Sequence, residues 1–333
     1  IKELQRRFYM IKLQEVSKTY PPATKAVDHI SLTIREGEIL GLTGTSGSGK
    51  TTTLKMINRL VEPTSGRIEV GGRDILEQNP VELRRSIGYV IQHVGLFPHY
   101  TVRQNLSTVP RLKEWPEHKI EQRCSELMKM VDLSSRDYLH KMPHQLSGGE
   151  QQRIGLARAL AADPPIVLMD EPFGALDPIT RSDIHGQFKN LQQEIQKTMV
   201  MVTHDITEAF ELCDRVALLD EGKLQQIGRP RELLFQPVNN FTKAFFDPNR
   251  FMLEMLTLTL RECVEDLEPS QEGESSLLFN ADTKFLTVFR EMEKKMTTNL
   301  MVAMQAEEKT EYYPADKLLE SFYQAKRKLH DHD

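Results

Sequence analysis

The run Gly44-Thr45-Ser46-Gly47-Ser48-Gly49-Lys50-Thr51 fits the spacing G-x-x-x-x-G-K-[S/T] without a mismatch, and each position has a chemical use. Glycines let the backbone N–H groups turn inward as a nest for an anion, and a helix beginning behind them adds about half a positive charge. Lys50 is placed to reach the β- and γ-phosphates of a nucleoside triphosphate and the Thr51 hydroxyl to ligate Mg²⁺, with Thr52 next in the same turn. In a second group, Ile166-Val167-Leu168-Met169-Asp170-Glu171, an apolar run ends in two carboxylates. Asp170 would hold Mg²⁺ through water, and Glu171 would polarise an attacking water as general base. The third group, Leu146-Ser147-Gly148-Gly149-Glu150-Gln151-Gln152-Arg153, offers Ser and Gly donors at the mouth of a helix but no lysine. It reads as a second anion site, or as a serine N-cap with a flexible entry.

These groups need a particular frame. Ile39-Leu40-Gly41-Leu42 reads as a short buried strand running into the first loop, and Thr52 to Ile57 as the first turns of a helix leaving it. A buried parallel strand delivers its last residues to the C-terminal edge of a sheet, where Asp170 and Glu171 are required. The fold class is therefore α/β. With 333 residues, 39% apolar and 27% charged, the chain has room for about two globular domains. A net charge of -5, with both signs mixed along the chain, gives no footprint for nucleic acid. Cys124, Cys213 and Cys263 are far apart and odd in number, which argues against a disulfide framework or a structural zinc site. No stretch approaches the ~18 to 20 apolar residues of a membrane span, and the start lacks a signal-peptide core, so a cytoplasmic protein is expected. Residues 1–9 are expected to be an upstream extension.

Taken together, the three groups resemble an ATP-binding cassette (ABC) ATPase, whose signature motif is L-S-G-G-Q, here with Glu150 in the fifth place. The resemblance covers about residues 10–238. It implies a P-loop NTPase with a RecA-like core, an antiparallel β subdomain and a helical subdomain at about 95–155. It also implies roles for further residues. Tyr20 in Ser17-Lys18-Thr19-Tyr20 resembles the aromatic that stacks on adenine, and Gln92 in Tyr89-Val90-Ile91-Gln92 the glutamine that senses Mg²⁺ and the γ-phosphate. Asp177 in Gly174-Ala175-Leu176-Asp177 resembles the D-loop aspartate, and His204 in Met201-Val202-Thr203-His204-Asp205 the switch histidine. The expected catalytic set is Glu171, His204, Lys50 and Gln92. ATP contacts are expected from Tyr20, from 44–52, from Ser147, Gly148, Gly149 and Glu150, and from Asp177; Mg²⁺ contacts are expected from Thr51, Gln92 and Asp170. ATP would be clamped in a two-fold symmetric homodimer, each signature loop facing the partner's phosphates.

ABC ATPases serve several functions, so the branch rests on architecture. The chain has one phosphate loop and no fused span, and the segment between Gln92 and Ser147 is short, without long heptads. That favours the ATPase subunit of an importer. Lys55-Met56-Ile57-Asn58-Arg59-Leu60, Ile91 to His99 and Glu171 to Arg181 resemble the quaternary-amine, or osmoprotectant, subfamily that moves glycine betaine, carnitine and choline. The partners implied are transmembrane permease subunits and, indirectly, an extracytoplasmic substrate-binding protein, with the ATPase peripheral on the cytoplasmic face of the inner membrane. Leu96-Phe97-Pro98 and Thr101 to Leu106 would form part of the groove for the permease's coupling helix, unless Phe97 belongs to the core. The competing readings are an importer of another small solute, such as an amino acid, and a non-transport ABC ATPase acting on ribosome or DNA.

Beyond Asp247-Pro248-Asn249 the pattern changes, with an acidic linker or turn at 265–272. A small α+β unit is expected over 251–330: a strand at 276–279, a helix at 284–294, a strand at 300–304, room for another strand, and a helix at 317–323. This order resembles a single degenerate cystathionine-β-synthase (CBS) motif, with Ala306-Glu307-Glu308-Lys309 where an Asp-Gly turn is usual. Regulation by ionic strength or an adenine nucleotide, and simple stabilisation of a dimer, are the two roles open to it.

Overall fold

The computed structural model describes residues 9–92, 95–174, 176–265, 267, 277–295, 299–304 and 309–330. The extension expected at 1–9 falls almost wholly outside them, as do His93, Val94, Ala175, most of the acidic linker and the turn residues 306–308. The chain divides into two compact units, one of Ile1–Asp205 with Leu212–Ile227 and one of Ile206–Glu211 with Gly228–Asp333.

The first unit holds two sheets. The antiparallel one is ordered β2-β1-β4-β5, from β1 (Tyr9–Tyr20), β2 (Thr24–Arg35), β4 (Ser65–Val70) and β5 (Arg73–Asp74). In β1, Ile11 and Leu13 face the core while Lys12 and Gln14 turn away, the period of two of a half-buried strand. At Glu15, with φ of 48°, the register slips and the next inward residue becomes Val16, as an extra residue in a bulge requires.

The six-stranded sheet runs β10-β9-β3-β8-β7-β6. Its members are β3 (Ile39–Gly44), β6 (Ile87–Val90), β7 (Ile166–Asp170), β8 (Thr198–Val202), β9 (Arg215–Asp220) and β10 (Lys223–Gly228). β3, β6, β7, β8 and β9 are parallel. Every residue of β7 and β8 is buried, so their sequences are continuous apolar runs rather than alternating ones. Neighbouring strands β3, β7 and β8 thus end together, and the loops that follow them carry Lys50, Glu171 and His204.

Helices connect the strands of this sheet. α1 (Lys50–Ile57) starts directly behind the phosphate loop, and α2 (Pro80–Ser86) is capped by Asn79 with proline in its first turn. A helical group follows: α3 (Val102–Leu112), α4 (Glu117–Met130), α5 (Ser135–Tyr138) and α6 (Gly148–Leu160). Its apolar residues Leu106, Ile120, Leu127 and Ile154 are buried. Arg123 donates to the Leu160 and Ala161 carbonyls at the end of α6, satisfying groups the helix leaves open. α7 (Pro178–Ile195) completes the unit.

The second unit contains α8 (Ile206–Leu212) for all but its last residue, then α9 (Pro230–Phe235), α10 (Asn240–Phe246), α11 (Arg250–Thr257), α12 (Leu260–Val264), β11 (Leu278–Asn280), α13 (Phe285–Lys295), β12 (Asn299–Met304), β13 (Lys309–Pro314) and α14 (Ala315–His330). β11 pairs in parallel with β12, which pairs antiparallel with β13. The final helix is much longer than the 317–323 read from sequence, because Leu318, Phe322 and Ala325 continue one buried stripe at helical spacing. Phe285 and Phe322 stack at 4.7 Å in this unit's core.

Candidate nucleotide site

The loop between β3 and α1 is fixed by its glycines. Gly49 caps α1 with φ of 91°, and a Cβ there would lie 2.2 Å from the Ala26 carbonyl oxygen. Gly44 has φ of 140°, and a Cβ would meet the Leu219 carbonyl at 1.8 Å. Both positions combine a left-handed backbone with a neighbour too close for any side chain. Thr45 donates to Asp220 at 2.6 Å, tying the loop to β9.

Lys50 turns back into this loop, its ammonium 2.7 Å from the Thr45 carbonyl, 3.0 Å from that of Gly44 and 3.3 Å from Ser48 Oγ. Burial lowers its pKa, an effect opposed by the negative charge of Glu171. The cation is therefore already in the nest, and held by oxygens a phosphate can replace.

Thr51 donates to Asp170 Oδ1 at 2.8 Å, joining the start of α1 to the end of β7. Asp170 is 4% exposed, and burial raises its pKa against the Thr51 hydrogen bond. At Glu171 the backbone turns to φ of 48°, leaving the strand, and its N–H donates to the Val202 carbonyl of β8 at 3.0 Å. That left-handed residue swings the second carboxylate away from the first. Glu171 Oε2 lies 3.0 Å from the Gln92 amide nitrogen and 3.2 Å from His204 Nδ1.

Six of the residues singled out from sequence, Lys50, Thr51, Gln92, Asp170, Glu171 and His204, thus form one cluster at the ends of β3, β6, β7 and β8. Thr52 follows Thr51 in α1, and Ser46 and Gly47 sit at the exposed tip of the phosphate loop, where a Cβ on Gly47 would meet open space. Asp177 accepts the Thr180 N–H at 3.0 Å at the head of α7. Ser147 caps α6, with Gly148 exposed and Gly149 against Thr180. Tyr20 stands 37% exposed at the end of β1, with the Lys18 ammonium 5.2 Å from its ring. Among the described residues no hydrogen bond joins Tyr20 or the 147–150 loop to the phosphate loop.

The structure also shows links the motifs did not announce. Arg158 of α6 donates to the Gly95 carbonyl at 2.7 Å and lies 5.7 Å from the centre of the half-exposed Phe97 ring. Asn105, fully buried, accepts the Phe97 N–H and donates to the Phe97, Tyr100 and Thr101 carbonyls. Arg181 donates to the Leu176 carbonyl beside Asp177 and approaches Asp205, next to His204, at 3.7 Å. Tyr138 donates to Glu150 at 2.6 Å. Of these residues, Phe97, Asn105, Glu150 and Arg181 lie within runs singled out from sequence, whereas Tyr138 and Arg158 lie outside all of them.

The chain's similarity to known proteins agrees with this geometry. A family model described as ABC transporter matches residues 27–174. The chain is 49% identical over 293 residues to the glycine betaine/carnitine/choline transport ATP-binding protein OpuCA of Bacillus subtilis (strain 168), covering 88% of this chain and 75% of that protein. It is 52% identical over 243 residues to the choline transport ATP-binding protein OpuBA of the same organism, covering 73% of this chain and 64% of that one. Among solved structures it resembles the ATP-binding cassette MJ0796 in a dimeric post-hydrolysis state bound to ADP and Pi. That likeness has a TM-score of 0.60 and 37% identity, over 66% of this chain and 98% of that one. The loop between β3 and α1, the two carboxylates at the end of β7 and the serine-capped start of α6 therefore belong to a chain that is a member of the ATP-binding proteins of ABC transporters, a family of ATPases.

Proposed function

We propose that this chain is the ATP-hydrolysing subunit of an importer for a quaternary-amine solute of the glycine betaine, carnitine or choline type. The observation that carries the catalytic part is the convergence of Gln92 and His204 on one oxygen of Glu171, beside Lys50 in its phosphate nest. The cargo rests on the relatives, whose names specify these solutes.

The site fits Mg²⁺. Asp170 is a buried carboxylate whose hydrogen-bond partner is the Thr51 hydroxyl, a pair that a hard divalent cation would stabilise. Thr51, Gln92 and, through water, Asp170 would hold the ion, which supplies charge neutralisation at the β- and γ-phosphates. The protein's own part is positioning and electrostatics. Lys50 neutralises the transferring phosphoryl group, Glu171 accepts a proton from the attacking water, and Gln92 and His204 hold that carboxylate in line. Tyr20 would stack on the adenine. The 147–150 loop and Asp177 would act across a two-fold axis on the partner's nucleotide, making ATP part of a homodimer interface.

No described helix is long and apolar enough to cross a membrane. The relatives are ATP-binding proteins of transport systems, and on that ground separate permease subunits would carry the solute, with this chain peripheral on the cytoplasmic face. A cleft of about 360 Å³ lined by Tyr89, Ile91, Phe97, Val109, Arg158 and Pro164 suits a permease helix. An extracytoplasmic binding protein would deliver the solute. The decisive experiment is uptake of labelled glycine betaine, choline and carnitine, at low and high salt, in cells carrying the whole transporter with wild-type or Glu171→Gln ATPase. Glu171-dependent uptake of any of the three supports the reading. No uptake of all three, with ATPase activity intact, removes the cargo and keeps the engine.

A further inference from the structure

The turn that precedes α6 contains a contact unexplained by any nucleotide motif. Tyr138, the last residue of α5, donates its phenolic proton to Glu150 Oε1 at 2.6 Å. The other oxygen, Oε2, accepts the Ser147 backbone N–H at 2.7 Å, and Ser147 Oγ accepts the Glu150 N–H at 3.3 Å. A capping box is thereby extended by one more donor from outside the helix. The Lys141 ammonium, 3.8 Å from the Tyr138 ring centre, adds a cation–π contact that holds the ring in place.

The charge on Glu150 makes this arrangement consequential. The phenol hydrogen bond first, and the Ser147 backbone N–H second, hold the Glu150 carboxyl below the usual carboxylate range, so it stays ionised. A carboxylate at a helix N-terminus suits the helix dipole but opposes an incoming phosphate. Glutamine could make the same backbone contact without charge. With glutamate, both oxygens must be kept engaged within the protomer, and Tyr138 occupies the one that the cap leaves over. The cap uses Ser147 Oγ only as an acceptor, so its proton is still available to a ligand.

We propose that Tyr138 is a positioning residue for the ATP clamp: by binding Glu150 it fixes the Ser147–Gly149 loop and keeps the Glu150 carboxylate from competing with the partner's nucleotide. This rests on the two-chain clamp described under Proposed function. Tyr138 touches neither nucleotide nor reacting atoms and acts through Glu150.

The test uses the full chain carrying Glu171→Gln, in which ATP-driven dimers should persist. Four versions are compared: this parent, and the parent with Tyr138→Phe, with Glu150→Gln, and with both. Dimerisation is followed by sedimentation against ATP concentration, and nucleotide binding to the monomer by a fluorescent ATP analogue. Phenylalanine retains the ring, so folding should survive, which a melting curve checks. Tyr138→Phe should raise the ATP concentration for half-dimerisation about tenfold, as expected for a lost hydrogen bond to a charged group, and leave monomer binding unchanged. In the Glu150→Gln background it should change it by less than about twofold, because the charge that needed restraint is gone. Equal effects in both backgrounds would make the hydroxyl's contribution independent of the Glu150 charge and overturn the proposal, as would no effect in either. If the parent binds ATP without dimerising, the two-chain clamp itself fails and the proposal with it.

Discussion

Gln92 and Glu171, 79 residues apart, meet in a 3.0 Å hydrogen bond, and His204 reaches the same carboxylate oxygen at 3.2 Å. The proposed base therefore has donors from the segment after β6 and the loop after β8, while the left-handed turn at Glu171 separates it from Asp170. Each contact orients a carboxylate that must face a water during hydrolysis.

Replacing that carboxylate by an isosteric amide should separate binding from chemistry. Glu171→Gln retains the shape that Gln92 and His204 hold, but loses the base. Turnover should fall about 10²- to 10⁴-fold while ATP binding persists and the dimer is trapped. Phosphate release and sizing with ATP present measure both; unchanged turnover would remove Glu171 from the role.

Lys50→Ala acts on the other side of the site. The ammonium gives three hydrogen bonds to its own loop and would exchange some of them for phosphate oxygens. Affinity for ATP should drop about 10- to 100-fold, as for loss of a charge-assisted hydrogen bond. Equilibrium binding of a fluorescent ATP analogue tests this, and an unaltered affinity would refute the phosphate-loop assignment.

Most of this cluster was legible in the sequence, for a physical reason. Residues 44–51 and 166–171 are local motifs whose backbone path follows from glycine, a buried strand and a helix start, so order along the chain fixes position in space. Gln92 and His204 needed the family resemblance, because one glutamine or histidine carries no spacing signal until the sheet brings strand ends together. Tyr138 was not visible at all, since nothing in the spacing of a tyrosine and a glutamate twelve residues apart shows that a short helix and a capped one bring them into contact. Phe97 was undecided between core and surface. It is 47% exposed and lies 5.3 Å from Tyr100, because Asn105 holds its backbone and turns the ring outward. In the second unit, only the place of the strand Lys309–Pro314 in the order of elements is legible in sequence, because its polar residues offer no apolar alternation to read.

The thiols give a test of burial with a definite pH sign. Burial pushes Cys124 up to about 11 and Cys263 to about 12 from an ordinary value of 9.0, and Cys213 is buried as well. A raised pKa means that the folded chain holds the proton more tightly than the unfolded one. The corresponding stability is full below about pH 9 and is lost as pH rises through the folded values near 11 and 12. At pH 8 Cys124 should alkylate about a hundredfold more slowly than in urea, from thiolate fraction alone. Mass spectrometry after iodoacetamide treatment reads this directly, and rapid native labelling would contradict the burial.

Glu254 supplies the sharpest stability test in the second unit. It is fully buried in α11, with the Arg250 Nε at 3.0 Å and the Lys326 ammonium of α14 at 2.6 Å. Taking a carboxylate out of water costs several kcal/mol, so its cations must compensate, and removing one leaves the rest of the cost unpaired. Lys326→Met keeps the aliphatic stem and should destabilise the α11–α14 pairing by about 3 kcal/mol. Hydrogen exchange in 250–257 should then accelerate by roughly two orders of magnitude if that opening controls it. Adding Glu254→Gln removes the buried charge and should restore much of the protection. If the single variant exchanges as slowly as wild type, the carboxylate's remaining contacts satisfy it and the lysine contact contributes nothing. If the double variant is no better than the single, the loss did not come from an uncompensated charge on Glu254, and the buried-charge account fails.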